Sequence, residues 1–308
     1  MLHLTMQNYF GEIAALLTAV FWTVTSMAFE SAGKKVGSLA VNLIRLVMAF
    51  FFIGAYSYFA RGFFFPSDAT FYQWKWLAIS GLIGFVIGDL LLFQAFVVIG
   101  ARISMLMMSL TPPFAAFVGW LVLEEVLTPK NWLGMLVTLT GIIIVILKRG
   151  KTERNGIIKR RLQSSYSLPG ILLALGGALG QATGLVYSKL GMGDYDAFSA
   201  SQIRVLAGIA GFSVLFVFMK RWPRVWTALK NGSAMKRITL GAFFGPFLGV
   251  SFSLLAVQRT ETGIAATLMA IVPVLIIAPA VIIFKEKVNW KEILGAVITV
   301  TGVALFFL

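Results

Sequence analysis

The chain has no cysteine and a single histidine, His3, close to its start. Disulfides, thiolate metal sites and cysteine nucleophiles are thereby excluded, and His-based catalysis or metal ligation has nothing to build on. Negative charge is scarce as well. Asp+Glu number 12 against 26 Lys+Arg, and charged residues make up only 12% of the 308. A soluble domain carries about 25%. No G-x-x-x-x-G-K-[ST] run occurs, which excludes a P-loop and argues against ATP-driven work. No metal site, no cofactor and no selectivity-filter motif are expected, so an embedded enzyme or a channel is the weaker alternative.

What the sequence does have is apolar bulk. Hydrophobic residues reach 59%, against about 45–50% in soluble domains. Such a surface belongs in a bilayer, and the expected class is an all-α integral membrane protein. Ten runs are long enough to cross about 30 Å of hydrocarbon. They lie near 10–30, 37–60, 74–98, 101–123, 131–148, 168–189, 197–219, 236–258, 262–284 and 290–308. Their buried backbone amides must pair internally, so each run reads as a helix. No signal peptide precedes the first run, which lacks a basic leader. The formal charge of +14 reads as topogenic loop charge rather than a nucleic-acid surface.

The second half repeats the first. At an offset of 161, Lys75 meets Lys236, Gly84 Gly245, Gly88 Gly249, Met108 Met269, Pro112 Pro273, Glu125 Glu286, Gly134 Gly295 and Gly141 Gly302. Upstream the offset is 159, and Ile44-Arg45 meets Ile203-Arg204. The units are residues 1–148 and 168–308, joined by a basic connecting loop over 149–167. Five spans per unit is an odd number, so the copies must be inverted around a central cavity. That is the architecture of secondary transporters.

An ionisable side chain deep in a bilayer is costly and marks a functional site by default. Asp89 is the one acidic residue well inside a run, and Arg45 and Arg204 are the basic ones. At 1.5 Å per residue, Arg45 lies about 12 Å and Asp89 about 14 Å from the same surface, so the two can pair. Arg204 faces Val250, not a second aspartate, at the equivalent place. Asp89 is a candidate for coupling or substrate binding; a structural pair with Arg45 is the alternative. Gln94, Gln181, Ser109 and Tyr187 are uncharged polar candidates. Trp22, which aligns with Gln181, is a candidate cavity residue. Pro112 and Pro273 are expected to bend their helices. Glu125 and Glu286 read as turn or capping residues.

The run Gly88-Asp89-Leu90-Leu91-Leu92-Phe93-Gln94-Ala95-Phe96 leads into Gly100-Ala101-Arg102-Ile103-Ser104. Then come Ser109-Leu110-Thr111-Pro112-Pro113-Phe114, Leu123-Glu124-Glu125-Val126-Leu127-Thr128-Pro129 and Leu133-Gly134. The pattern returns as Ala256, Thr262-Gly263-Ile264-Ala265-Ala266, Pro273, Glu286 and Gly295. This resembles the EamA family of the drug/metabolite transporter superfamily. The resemblance implies a ten-helix basket that moves metabolites, often amino acids, without ATP. Export across the cell membrane is the expected direction, driven by an ion or proton gradient, by a monomer or homodimer with a small-molecule substrate and no nucleic acid. The resemblance also implies both termini inside. The charge count says otherwise: 19 lysines and arginines fall on the side of the connecting loop and five on the other. The positive-inside rule then puts both termini outside, and that orientation is the expectation here.

Overall fold

The computed structural model describes residues 9–123, 128–154, 157–259, 265 and 268–307. Among the described residues, eight helices are long and apolar enough to cross a membrane. They are α1 (Phe10–Val36), α2 (Ser38–Arg61), α3 (Phe71–Ile99), α4 (Ala101–Val122), α5 (Pro129–Ile146), α6 (Leu168–Met192), α7 (Ala197–Phe218) and α9 (Gly232–Arg259). The short α8 (Trp222–Lys230) precedes α9. Two apolar helices follow: α10 (Val272–Ile283) is shorter than a full crossing, and α11 (Trp290–Phe307) has 18 residues. Among the described residues, the ten runs of the sequence thus correspond to eight full crossings, one shorter helix at 272–283 and one of 18 residues. Glu124, Glu125, Glu261, Thr262 and His3 lie outside the described residues.

A wholly helical chain with a loop at 149–167 needs one correction. There β1 (Leu147–Arg154) and β2 (Ile157–Ser164) form an antiparallel pair, with Leu147 opposite Ser164 and Arg154 opposite Ile157. Outside the hydrocarbon, backbone groups can pair with another strand or with water, so nothing obliges this segment to be a helix. Thr152, Ile157 and Ile158 bring β-branched propensity to it.

Polar contacts sort the helix ends into two faces. On one face Lys35 Nζ donates to Ser233 Oγ (2.8 Å), Ala101 N to Glu30 Oε2 (2.8 Å) and Tyr166 OH to Glu292 Oε1 (3.1 Å). On the other, Tyr195 OH donates to Asp68 Oδ1 (2.8 Å) and Gln258 Nε2 to Tyr195 O (2.8 Å). Arg61 pairs with Asp68 and Asp196 there. Burial alone would raise the Asp68 carboxyl, but hydrogen bonds from Tyr195 and Arg61 outweigh it and hold it below its ordinary range. A depressed carboxyl stabilises above its unfolded pKa and stops doing so as pH falls through the folded one, so this clasp survives mild acid.

Consecutive spans alternate between these faces. Gly37 (φ 86°) and Gly100 (φ 82°) reverse the chain in one residue between α1 and α2 and between α3 and α4. A side chain at that φ would be strained. Across the halves, α1 packs on α9 and α6 on α3; α2 meets α7, and α5 meets α11.

The crossing of α3 and α6 is built on glycine. A Cβ on Gly180 would sit 2.6 Å from the Gly88 Cα, and one on Gly184 would sit 2.9 Å from the Gly84 Cα. Ser80 Oγ bonds Gly184 O at 2.6 Å in the same seam. Backbones this close gain dispersion contacts that lipid cannot offer as well. Gly180→Val should therefore force the helices apart, costing about 1–3 kcal/mol or more as overpacking does. We expect a lower melting temperature and less monodisperse protein after detergent extraction. Gly232→Ala, where an added Cβ meets nothing within 4 Å, should leave both unchanged.

Two wide turns interrupt the helices at matching places. Leu82–Gly88 in α3 and Phe243–Gly249 in α9 are π-helical, at the same 161-residue offset as the sequence repeat. Such turns cluster at functional sites. One extra residue in a turn rotates the downstream part of the helix by about 100°. Asp89 and Val250 are the first residues after these turns.

Candidate functional site

A cavity of about 460 Å³ lies between the two halves. Its walls are mostly apolar, with Trp22, Phe29, Phe93, Phe96, Met105 and Met108 among them. Arg45, Asp89, Lys189 and Arg204 are the charged residues of the lining.

Asp89 is buried, and both of its carboxylate oxygens are engaged. Oδ2 pairs with Arg45 and Oδ1 accepts from Gln181 Nε2. The same Gln181 amide nitrogen also donates to Gly84 O at 3.2 Å, a carbonyl inside the π turn. Arg45 is held from the other side: its Nε donates to Asn42 Oδ1 (3.1 Å), and Asn42 Nδ2 donates to Asp89 O (3.2 Å). Its guanidinium lies 4.4 Å from the Phe93 ring centroid and 5.5 Å from that of Phe29. The depths read from the sequence thus bring Arg45 and Asp89 together, and the rotation imposed by the π turn completes the meeting. Pairing and hydrogen bonding of this kind offset much of the cost of burying both charges.

Arg204 is equally buried, at 4% exposure, and differently placed. It forms no salt bridge among the described residues. Its Nε has no hydrogen-bond partner, and its guanidinium lies 4.9 Å from the centroid of Phe85. Phe85 is also 5.6 Å from the Arg45 guanidinium. Val250, at the position equivalent to Asp89, lines the cavity and offers Arg204 no charge.

The other sequence candidates divide. Trp22, Ser109 and Gln181 line the cavity, as do Pro112 and Pro273. The prolines do not kink continuous helices. Each lies in the first turn of a segment that restarts after a break, Thr111–Leu123 and Val272–Leu275. A first-turn proline lacks only an amide that would have had no partner. Gln94 and Tyr187 are not in the lining. Gln94 Oε1 accepts from Ser38 Oγ at 2.7 Å, and Tyr187 stacks on Trp76 with centroids 5.5 Å apart.

A second polar cluster has no signature in the sequence. At the basic face, Arg102 Nε donates to Glu286 Oε2 at 2.9 Å, and its NH1 pairs with Glu292. Tyr166 donates to the same Glu292. Burial and the Glu292 carboxylate push the Tyr166 phenol up to about 12, so it stays a donor at any physiological pH. Glu286 caps the preceding helix through its backbone, with its N donating to Ala280 O at 3.1 Å, and its side chain also ties α4 to the α10–α11 connection. Glu30, placed at a helix end by its sequence position, is buried and caps the first amide of α4. Among the described residues no three His, Cys, Asp or Glu side chains gather to hold a metal.

The family model of the EamA-like transporter family matches residues 9–147 and, a second time, 168–308. The chain belongs to the EamA-like transporter family. Within Bacillus subtilis (strain 168), it is similar to a protein described as the uncharacterized transporter YoaV, 26% identical over 145 residues. That match spans 47% of this chain and 49% of YoaV, about half the length of each. A solved crystal structure superposes with a TM-score of 0.63 over 97% of this chain and 96% of that one. At 18% identity that likeness concerns the fold alone. The family and the apolar helices among the described residues make this EamA-like protein a multi-pass membrane protein.

Proposed function

We propose that the protein is a secondary transporter of a small metabolite, working by alternating access in the cell membrane. In this reading ten spans form two inverted five-helix repeats, residues 1–148 and 168–308. One observation carries it: the cavity is lined by equivalent positions from both halves. Trp22 is matched by Gln181, Arg45 by Arg204, Asp89 by Val250, Met108 by Met269 and Pro112 by Pro273. A site on a two-fold axis in the membrane plane is the one place that two inverted halves can expose to either face by the same rocking motion. A volume of about 460 Å³ suits a metabolite of amino-acid size. The direction favoured is export, down whatever gradient drives it.

Counterflow in proteoliposomes tests this. Vesicles loaded with pooled small metabolites should accumulate at least one labelled member from outside, and empty vesicles should not. Folded, correctly reconstituted protein that supports no counterflow of any pool would overturn the reading.

Orientation follows from charge. The face that carries Lys34, Lys35, Arg102, the β1–β2 pair and α8 is the basic one, and it is taken as cytoplasmic. Trp226 in α8 is 65% exposed, while Val225 and Ala228 are buried; an interfacial helix has this division. Cysteine in place of Ser164 should stay unlabelled by an impermeant thiol reagent in intact cells, and cysteine in place of Ser67 should be labelled. The reverse pattern would invert the assignment.

A further inference from the structure

Three polar atoms of the lining have no hydrogen-bond partner, and one of them is a guanidinium nitrogen. Its charged residues are Arg45, Asp89, Lys189 and Arg204, and Lys189 has an interaction of its own. The anion is spoken for, because Asp89 is shared between Arg45 and Gln181. Arg204 is nine-tenths buried or more, lies on the cavity wall and has no partner at Nε. Ser109 Oγ and Thr111 Oγ1 also line the cavity and are also without partners. They come from the first half and flank the break in α4, whereas Arg204 comes from the second.

A guanidinium left unpaired in a low-dielectric wall is costly. The chemistry that satisfies it best is a carboxylate, which matches its planar fork with two parallel charge-assisted hydrogen bonds. Hydroxyls can complete such a carboxylate or bond an adjoining polar atom of the ligand. The remaining walls are aromatic rings and methionines, which favour an apolar body and adapt to its shape. Among the described lining residues an ammonium group meets no carboxylate that is not already bonded, and it is repelled by the Arg204 guanidinium.

We propose that Arg204 is the anchor for the carboxylate of an amphipathic organic monoanion, and that the preferred substrate has an aromatic or branched aliphatic body and no α-ammonium group. This rests on the transporter reading and narrows it: an acid, not the corresponding amino acid.

Binding to purified protein in detergent tests the site without requiring transport. The probes are 3-phenylpropanoate and 4-methylpentanoate, each with its neutral amide and its α-amino acid counterpart. Calorimetry should show at least one acid binding about tenfold or more tighter than its amide and than its amino acid. Arg204→Gln should erase that preference, and Arg204→Lys should keep part of it, since charge without the fork still attracts an anion. Acid and amide binding alike, neither acid binding, or a preference that survives Arg204→Gln would each overturn the proposal. If Arg204→Gln does not fold, the wild-type ranking and Arg204→Lys decide. Counterflow of some other solute with no acid preference would leave the transporter reading standing and remove this one. Acid preference without counterflow would do the opposite.

Discussion

Replacing Arg45 by methionine is expected to destabilise the protein by about 3–5 kcal/mol, the cost of leaving one member of a buried pair without its counter-charge. Asp89 would keep only Gln181 as a side-chain donor, and both neighbouring rings, Phe93 and Phe29, would lose their cation. Arg45→Met combined with Asp89→Leu should recover most of that loss, because two apolar side chains of similar volume remove the desolvation cost on both sides. The recovery separates a charge effect from a packing effect: if the double variant is as unstable as the single, the pair is not what holds α2 to α3. The double variant should nonetheless be inactive in counterflow, since the same carboxylate orients Gln181 on the cavity wall. Melting curves of a fluorescent fusion in detergent, read beside counterflow, give both answers. For Asp89→Asn alone we expect loss of pH-gradient-driven transport. A folded Asp89→Asn protein with wild-type gradient-driven uptake would show that the aspartate has no part in coupling.

The second large effect is expected at Arg102. Its guanidinium, 13% exposed, joins two carboxylates from the α10–α11 connection and the start of α11, and Glu292 in turn holds Tyr166 beside the start of α6. Four segments are thus fastened together at the basic face. The repeat does not carry the same residue types at these positions. At the positions equivalent to Arg102, Glu286 and Glu292 the chain has Gly263, Glu125 and Asn131, which includes no arginine. In the alternating-access reading, opening at the basic face separates Arg102 from its carboxylates. Arg102→Gln should remove the charge, leave two carboxylates close together and bias the protein towards opening at that face. A bias of about 1.4 kcal/mol is a tenfold change in the populations. Labelling of a cavity cysteine from the basic face should rise by that order, and labelling from the other face should fall. Glu286→Gln with Glu292→Gln should act in the same direction. Unchanged labelling in both variants would reduce the cluster to a surface ion network.

The sequence makes some of this legible and hides the rest for definable reasons. The repeat is readable because glycines and prolines at crossings and breaks must recur when a fold recurs; Gly84, Gly88, Pro112 and their counterparts are such positions. The meeting of Arg45 and Asp89 is readable because depth follows from 1.5 Å per residue. Rotation is not readable. Helices that are apolar all round show no face, so Gln94 and Tyr187 are polar residues within spans like Gln181 but lie outside the cavity lining. The π turns leave no trace in the pattern, since seven apolar residues read the same in either helix. The Arg102 cluster joins positions 184 and 190 residues apart, and no local spacing announces such a contact. The β1–β2 pair is hidden beneath its basic charge, which signals topology and masks strand propensity.

The central claim is that one cavity between the two halves opens to either face in turn. Cysteine in place of Ser109 probes it directly, because Ser109 lines the cavity and the chain has no other cysteine. The measurement is the rate of Ser109→Cys labelling by a membrane-impermeant thiol reagent, applied to right-side-out and to inside-out vesicles. A separate protein with its cysteine at Ser67, in the same preparations, reports leakage and sidedness. Alternating access predicts labelling from both sides, with the Ser67→Cys control labelled from its own side only. Labelling of Ser109→Cys from one side alone, or from neither, in folded protein would contradict the account.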